Sequence, residues 1–106
     1  MNIGILYCQK ASNVCTGAAC FKAYNNGTHY FSEYIEKPNL CAFFHCGGFN
    51  EEWKENDEIV RKMERLQKEG VKRIHIGVCV GTKCGNKDII ASMLREYGFE
   101  VVYGTH

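Results

Sequence analysis

The sequence has almost no excess of either charge: thirteen Lys and Arg stand against twelve Asp and Glu. A chain so nearly neutral sets up no field to steer nucleic acid or an anionic membrane surface, so nucleic acid is not expected as a partner. No apolar stretch approaches the roughly 20 residues that a membrane span needs. The opening Met1-Asn2-Ile3-Gly4-Ile5-Leu6-Tyr7 lacks a positive n-region and an h-region of signal length. It reads as a strand, and a cytoplasmic location is expected. Repeats, linkers and low-complexity stretches are missing, and Pro38 is the single proline.

Two chemistries are excluded by what the cysteines lack around them. No arginine occurs six residues after any cysteine, which rules out a phosphatase loop of the tyrosine-phosphatase type. Lys10, Ser12 and Asn13 could offer donors to a phosphate after Cys8, as in a phosphocysteine carrier. That loop has no glycine before Gly17, however, and such a carrier leaves the other cysteines unexplained. A catalytic acid–base pair is also missing. Glu51, Glu52, Glu55, Asp57, Glu58, Glu64 and Glu69 alternate with Lys54, Arg61, Lys62 and Lys68 on what reads as a solvated helix face.

What is there in excess is cysteine, seven in 106 residues. In a cytosolic protein structural disulfides are rare, and an odd count argues against a fully paired framework. Metal ligation or thiol chemistry is therefore the expected use. The length fits one domain over residues 1–106, able to bury about two-thirds of its unfolded surface.

Apolar runs alternate with helical patterns. Strands are expected at Ile3–Cys8, Leu40–Cys46, Val71–Val80 and Phe99–Tyr103, with a short aromatic edge strand at His29–Ile35. One helix should run from Gly17 to Tyr24 and stop at Asn25-Asn26-Gly27. A second, capped by Asn50 or Asn56, carries Ile59, Val60, Met63 and Leu66 on one face and ends before Gly70. A third, capped by Asn86, carries Ile89, Ile90, Met93, Leu94 and Tyr97 and ends at Gly98. This order predicts a three-layer α/β fold. Its sheet is mostly parallel, with four to five strands in the flavodoxin-like order 2-1-3-4-5. In such a sheet ligands bind outside the carboxyl ends of the strands.

Four cysteines share that address. Cys8, Cys46 and Cys79 each close or follow an apolar run, and Cys84 lies in the next loop. The four-residue gap between Cys79 and Cys84 falls within the range of paired zinc ligands. Gly47 and Gly48 after Cys46 let backbone approach a ligand closely. Cys15 lies in the first loop. Cys20 falls in the first turns of a helix, where the positive helix end favours thiolate, although a small buried residue would serve the core there equally well. Cys41, at the amino end of its strand, is read as packing. His45 and His75 are read as core or interface histidines and His29 as an edge residue. His106, after the last strand, is the best-placed histidine ligand.

Over nearly its whole length the chain resembles the CGGC-domain family. The likeness rests on the strand ending in Cys8, then Cys15-Thr16-Gly17-Ala18-Ala19-Cys20-Phe21-Lys22-Ala23. It continues with Cys46-Gly47-Gly48, Cys79 with Cys84, and Gly104-Thr105-His106. The resemblance implies a zinc-binding domain rich in cysteine and histidine, with no enzymatic activity attached. It implies Cys8, Cys15, Cys20, Cys46, Cys79, Cys84 and His106 as candidate ligands. Phe49 stands where the family's second motif cysteine belongs, which removes a C-x-x-C pair. That loss weakens a thioredoxin-like exchange role. The expected function is metal binding, with zinc or an iron–sulfur cluster as the cofactor. The alternative is a redox protein in which Cys8 or Cys46 is the reactive thiol.

Overall fold

The computed structural model describes residues 1–7, 14–45, 53–77 and 87–106. Among these described residues four strands, β1 (Asn2–Tyr7), β2 (Asn39–His45), β3 (Val71–Ile76) and β4 (Glu100–Tyr103), alternate with three helices, α1 (Ala18–Asn26), α2 (Asp57–Lys68) and α3 (Lys87–Glu96). All strand pairs are parallel and the order is β2-β1-β3-β4. The three-layer α/β fold is the one expected.

The stretch His29–Ile35 is not a strand. His29–Phe31 forms a 3-10 turn, opened by a left-handed His29 at φ 53°. Its aromatic residues alternate as a strand's would, but Phe31 is drawn inward against Tyr24, Tyr34 and His75. Side-chain burial overrides the local pattern here. With that element removed, β1 lies in the interior of the sheet with β2 as an edge.

The remaining elements follow the sequence signals closely. The Asn56 side chain caps α2, its Oδ1 accepting from the backbone N–H of Glu58 (3.1 Å) and Ile59 (3.4 Å). The helix stops fall at Gly27, Gly70 and Gly98. Asn50 and Asn86, the other proposed caps, lie outside the described residues.

The direction of the crossovers decides which face each helix covers. From β1 the chain moves one way to β2, then reverses and passes back over β1 to β3 and on to β4. Right-handed crossovers taken in opposite directions place their helices on opposite faces. Accordingly Ile3 and Ile5 of β1 pack with Cys20 and Ala23 of α1. Leu6 packs on the other side with Ile59, Met63 and Leu66 of α2 and Ile90, Met93 and Leu94 of α3. Residues alternate between faces along β1 because a strand has a period of two.

The register slips once between β1 and β2: Ile3 pairs with Leu40 and Gly4 with Ala42, leaving Cys41 unmatched. This bulge turns Cys41 outward. It is exposed, contrary to its reading as a packing residue.

Candidate functional site

Crossover direction reverses between β1 and β3, and open α/β sheets take ligands at the carboxyl edge beside such a reversal. Register brings three strand ends level there. Tyr7 is opposite His45, Leu6 is opposite Ile76, and the Gly77 N–H donates to the Leu6 carbonyl at 2.8 Å. Cys8 follows Tyr7 by one peptide, Cys46 follows His45 by one, and Cys79 comes three residues after Ile76. Cys8, Cys46, Gly47, Gly48, Cys79 and Cys84 themselves lie outside the described residues.

Three candidate ligands are described. Cys20 is the third residue of α1 and is buried, on the α1 face of the sheet. Its Sγ lies 3.2 Å from the Thr105 hydroxyl. Cys15 is half-buried and packs against the opposite, aliphatic cluster. The two thiols therefore flank the sheet from its two sides. His106 is exposed, next to a fully buried Thr105. Cys15, Cys20 and His106 are not brought together: among the described residues no group of three Cys, His, Asp or Glu side chains could hold a metal ion.

The edge is walled by rings on the α1 side. Tyr7 stacks on Phe43 with centroids 4.6 Å apart, His45 meets Tyr7 edge-on at 5.6 Å, and Phe21 of α1 lies 4.9 Å from Phe43. Gly17, just before α1, makes this contact possible. A Cβ there would come within 2.7 Å of the Phe43 ring, and its φ of 75° suits glycine. Thus the helix carrying Cys20 is seated directly on the ring wall beside the strand ends.

Beneath the edge lies a polar group that the sequence presents only as a core histidine. His75 on β3 is fully buried. Its Nδ1–H donates to the Gly104 carbonyl at 3.0 Å, since a carbonyl can only accept. Nε2 is then the acceptor of a hydrogen bond donated by the Tyr34 hydroxyl at 2.7 Å. Burial pushes the His75 pKa below its ordinary 6.5, the hydrogen bond to Gly104 opposes that shift, and the Arg73 charge adds to it. The imidazole is held neutral. The Tyr34 ring in turn lies under the Arg73 guanidinium, which pairs with Glu100 at 2.7 Å.

The profile of the CGGC domain matches residues 2–106. This chain belongs to the CGGC domain family. Comparison with curated proteins and with solved structures returns no significant match. In this CGGC domain, Tyr34 and the rings of Tyr7, Phe21 and Phe43 had no individual signal in the sequence, and His45 and His75 read only as core or interface histidines. Only Gly104-Thr105-His106 was marked, as a block. No described helix is long and apolar enough to cross a membrane.

Proposed function

We propose that this CGGC domain binds a metal ion, zinc, through thiolates gathered at the carboxyl edge of its sheet. The observation that carries the reading is the level alignment of the ends of β1, β2 and β3, each followed within three residues by a cysteine. Neighbouring strands are roughly 4.8 Å apart, a separation that chain ends one to three residues longer can close around one ion. The donor set fits the group chemically. Thiolates are soft ligands that select zinc or iron–sulfur clusters, and four sulfurs arranged tetrahedrally suit zinc. Cys8, Cys46 and Cys79 would hold it, with a further cysteine completing the shell. Gly47 and Gly48 would let backbone N–H groups come close to the sulfurs.

Bound zinc would supply a rigid cross-link between chain segments far apart in sequence, and binding would release the thiol protons. The neighbouring rings would keep water from the sulfurs on the α1 side. With Phe49 in the motif's second cysteine position, the site works with one thiol fewer than the family pattern.

Metal analysis of anaerobically purified protein tests this directly. About one zinc per chain is expected, falling sharply in Cys8→Ser. A preparation with neither zinc nor iron, in which Cys8→Ser changes nothing, would refute the proposal. Reversible loss of two thiols to peroxide with no metal released would assign the redox reading instead.

A further inference from the structure

The two edges of the sheet are protected to very different degrees. An edge strand presents unpaired backbone donors and acceptors, and proteins blunt such edges with short strands, charges, proline or a covering segment. β4 is four residues long and carries Glu100, paired with Arg73. β2 is seven residues long, the longest strand among the described residues, and contains no lysine, acid or proline. Its one device is the bulge at Cys41. An unbroken apolar run such as residues 40–44 belongs to strands covered on both sides. Yet no residue of β2 is buried, whereas β1 buries four.

Beside this edge runs a groove of about 590 Å³ between β2 and the last two turns of α2. Its apolar floor is Ala42, Phe44 and Leu66, which belong with the aliphatic cluster. Its rim is Lys62, Arg65 and Lys68, spaced three residues apart so that they share one side of the helix. Glu69 is the single acid in the lining. In a chain of nearly balanced charge this is a local cationic strip. Arg65 and Lys68 are exposed, and among the described residues neither forms an ion pair. Near the ends of β2 side chains meet the backbone. The Leu40 N–H donates to the Tyr24 hydroxyl at 3.2 Å, and Lys62 donates to the His45 carbonyl at 2.9 Å. Between them, the backbone of residues 41–44 has no side-chain partner among the described residues.

We propose that β2 and this groove form a docking site for an extended acidic peptide segment of a partner protein, added as a strand beyond β2. Strand addition supplies main-chain hydrogen bonds to the open edge, and side-chain pockets supply specificity. Alternate residues of the incoming strand point to the same face. On the face toward α2, apolar side chains settle on Phe44 and Leu66, and carboxylates two residues away meet Arg65 and Lys68. A second copy of this chain fits the edge less well. Joining two β2 edges about a two-fold axis would put both α2 helices on the same side of one continuous sheet. The cationic strips would then face each other, and β2 has no acid to offset them. The proposal does not depend on bound metal.

The probe is an end-blocked fluorescent heptapeptide, Glu-Thr-Leu-Thr-Leu-Thr-Glu, with Lys-Thr-Leu-Thr-Leu-Thr-Lys as its counterpart. Each is titrated with the whole chain under reducing conditions, so that the exposed Cys41 forms no intermolecular disulfide. Fluorescence anisotropy should show saturable binding of the acidic peptide, about tenfold tighter than the lysine peptide. Arg65→Glu combined with Lys68→Glu should reverse that order. Two N-methylated acidic peptides, one blocked at the threonines and one at the leucines, give a reading that needs no variant. Only alternate amides of an added strand face its neighbour, so one of the two should bind at least about tenfold more weakly than the other. No saturable binding of the acidic peptide, or equal binding of the acidic and lysine peptides, overturns the proposal. Equal effects of the two methylation patterns also overturn it, because the peptide is then not a strand. A wild type that sediments as a dimer, and as a monomer in Cys41→Lys, assigns the edge to a second copy instead.

Discussion

One face of the sheet is packed mainly with aliphatic side chains; the other combines a few of these with rings, a buried thiol, an imidazole and a hydroxyl. On the first, α2 and α3 together bury Leu6, Ile59, Met63, Leu66, Ile74, Ile76, Ile90 and Leu94. On the second, α1 covers only part of the sheet. Phe31 and Tyr34 fill the rest, against His75 and beside Cys20. The cause is topological. Two crossovers run in one direction and one in the other, so one face receives two helices and the other a single helix. The aliphatic face can be repacked by any side chains of suitable volume, at about 1.5–3 kcal/mol for each large one buried. On the other face each polar atom needs a particular partner. That is where a functional site can be held in a defined geometry.

Substitutions that act on one face alone would break this contrast or sharpen it. The largest effect is expected from Leu94→Ala, where a fully buried side chain is removed from the aliphatic face. Stability should fall by about 2–5 kcal/mol in urea unfolding, with metal content per folded chain unchanged. Gly104→Ala on the opposite side forces a Cβ into the Tyr30 ring at a φ that side chains rarely adopt. Strain and overpacking should cost roughly 2–4 kcal/mol, and here metal affinity should fall as well. Equal effects of both variants on metal binding would erase the division between the faces.

His75→Gln comes next. It disturbs the bonds to Gly104 and Tyr34 and should cost about 1–3 kcal/mol. It also carries a pH signature. The folded-state pKa of His75 lies below its unfolded value of 6.5, so the unfolded chain binds the proton more readily. The stabilisation from neutral His75 is complete above 6.5 and is lost as pH falls from there through the lower folded value. Wild type should therefore lose stability over that window, and His75→Gln should lose less, as read from urea midpoints at a series of pH values. The smallest effect is expected from Asn56→Ala, which removes the α2 cap on the aliphatic side. It should cost roughly 1 kcal/mol and leave the metal site untouched.

Much of this fold was legible in the chain because it is local. Buried parallel strands show as unbroken apolar runs, Asn56 marks the start of α2, and Gly27, Gly70 and Gly98 mark helix ends. The expected edge strand at His29–Ile35 fails because alternating aromatics describe a strand and a packed turn equally well, and Phe31 is committed to burial under α1. Cys41 was misread because a register slip has no sequence signature and reverses the facing of one residue. At the candidate site, the cysteines were visible and their partners were not. Thr105 is 85 residues from Cys20 and Gly104 is 29 from His75, distances at which no periodicity operates.

The sequence by itself determined the α/β class, the neutral surface, and the concentration of thiols after the strands, since composition and period are properties of neighbouring residues. Tertiary structure alone decided that β1 lies between β2 and β3, that Cys15 and Cys20 flank opposite sides of the sheet, and that His75 and Thr105 stand behind Cys20. Those outcomes depend on the handedness of crossovers and on side chains meeting across the fold, and both exist only once the helices have docked.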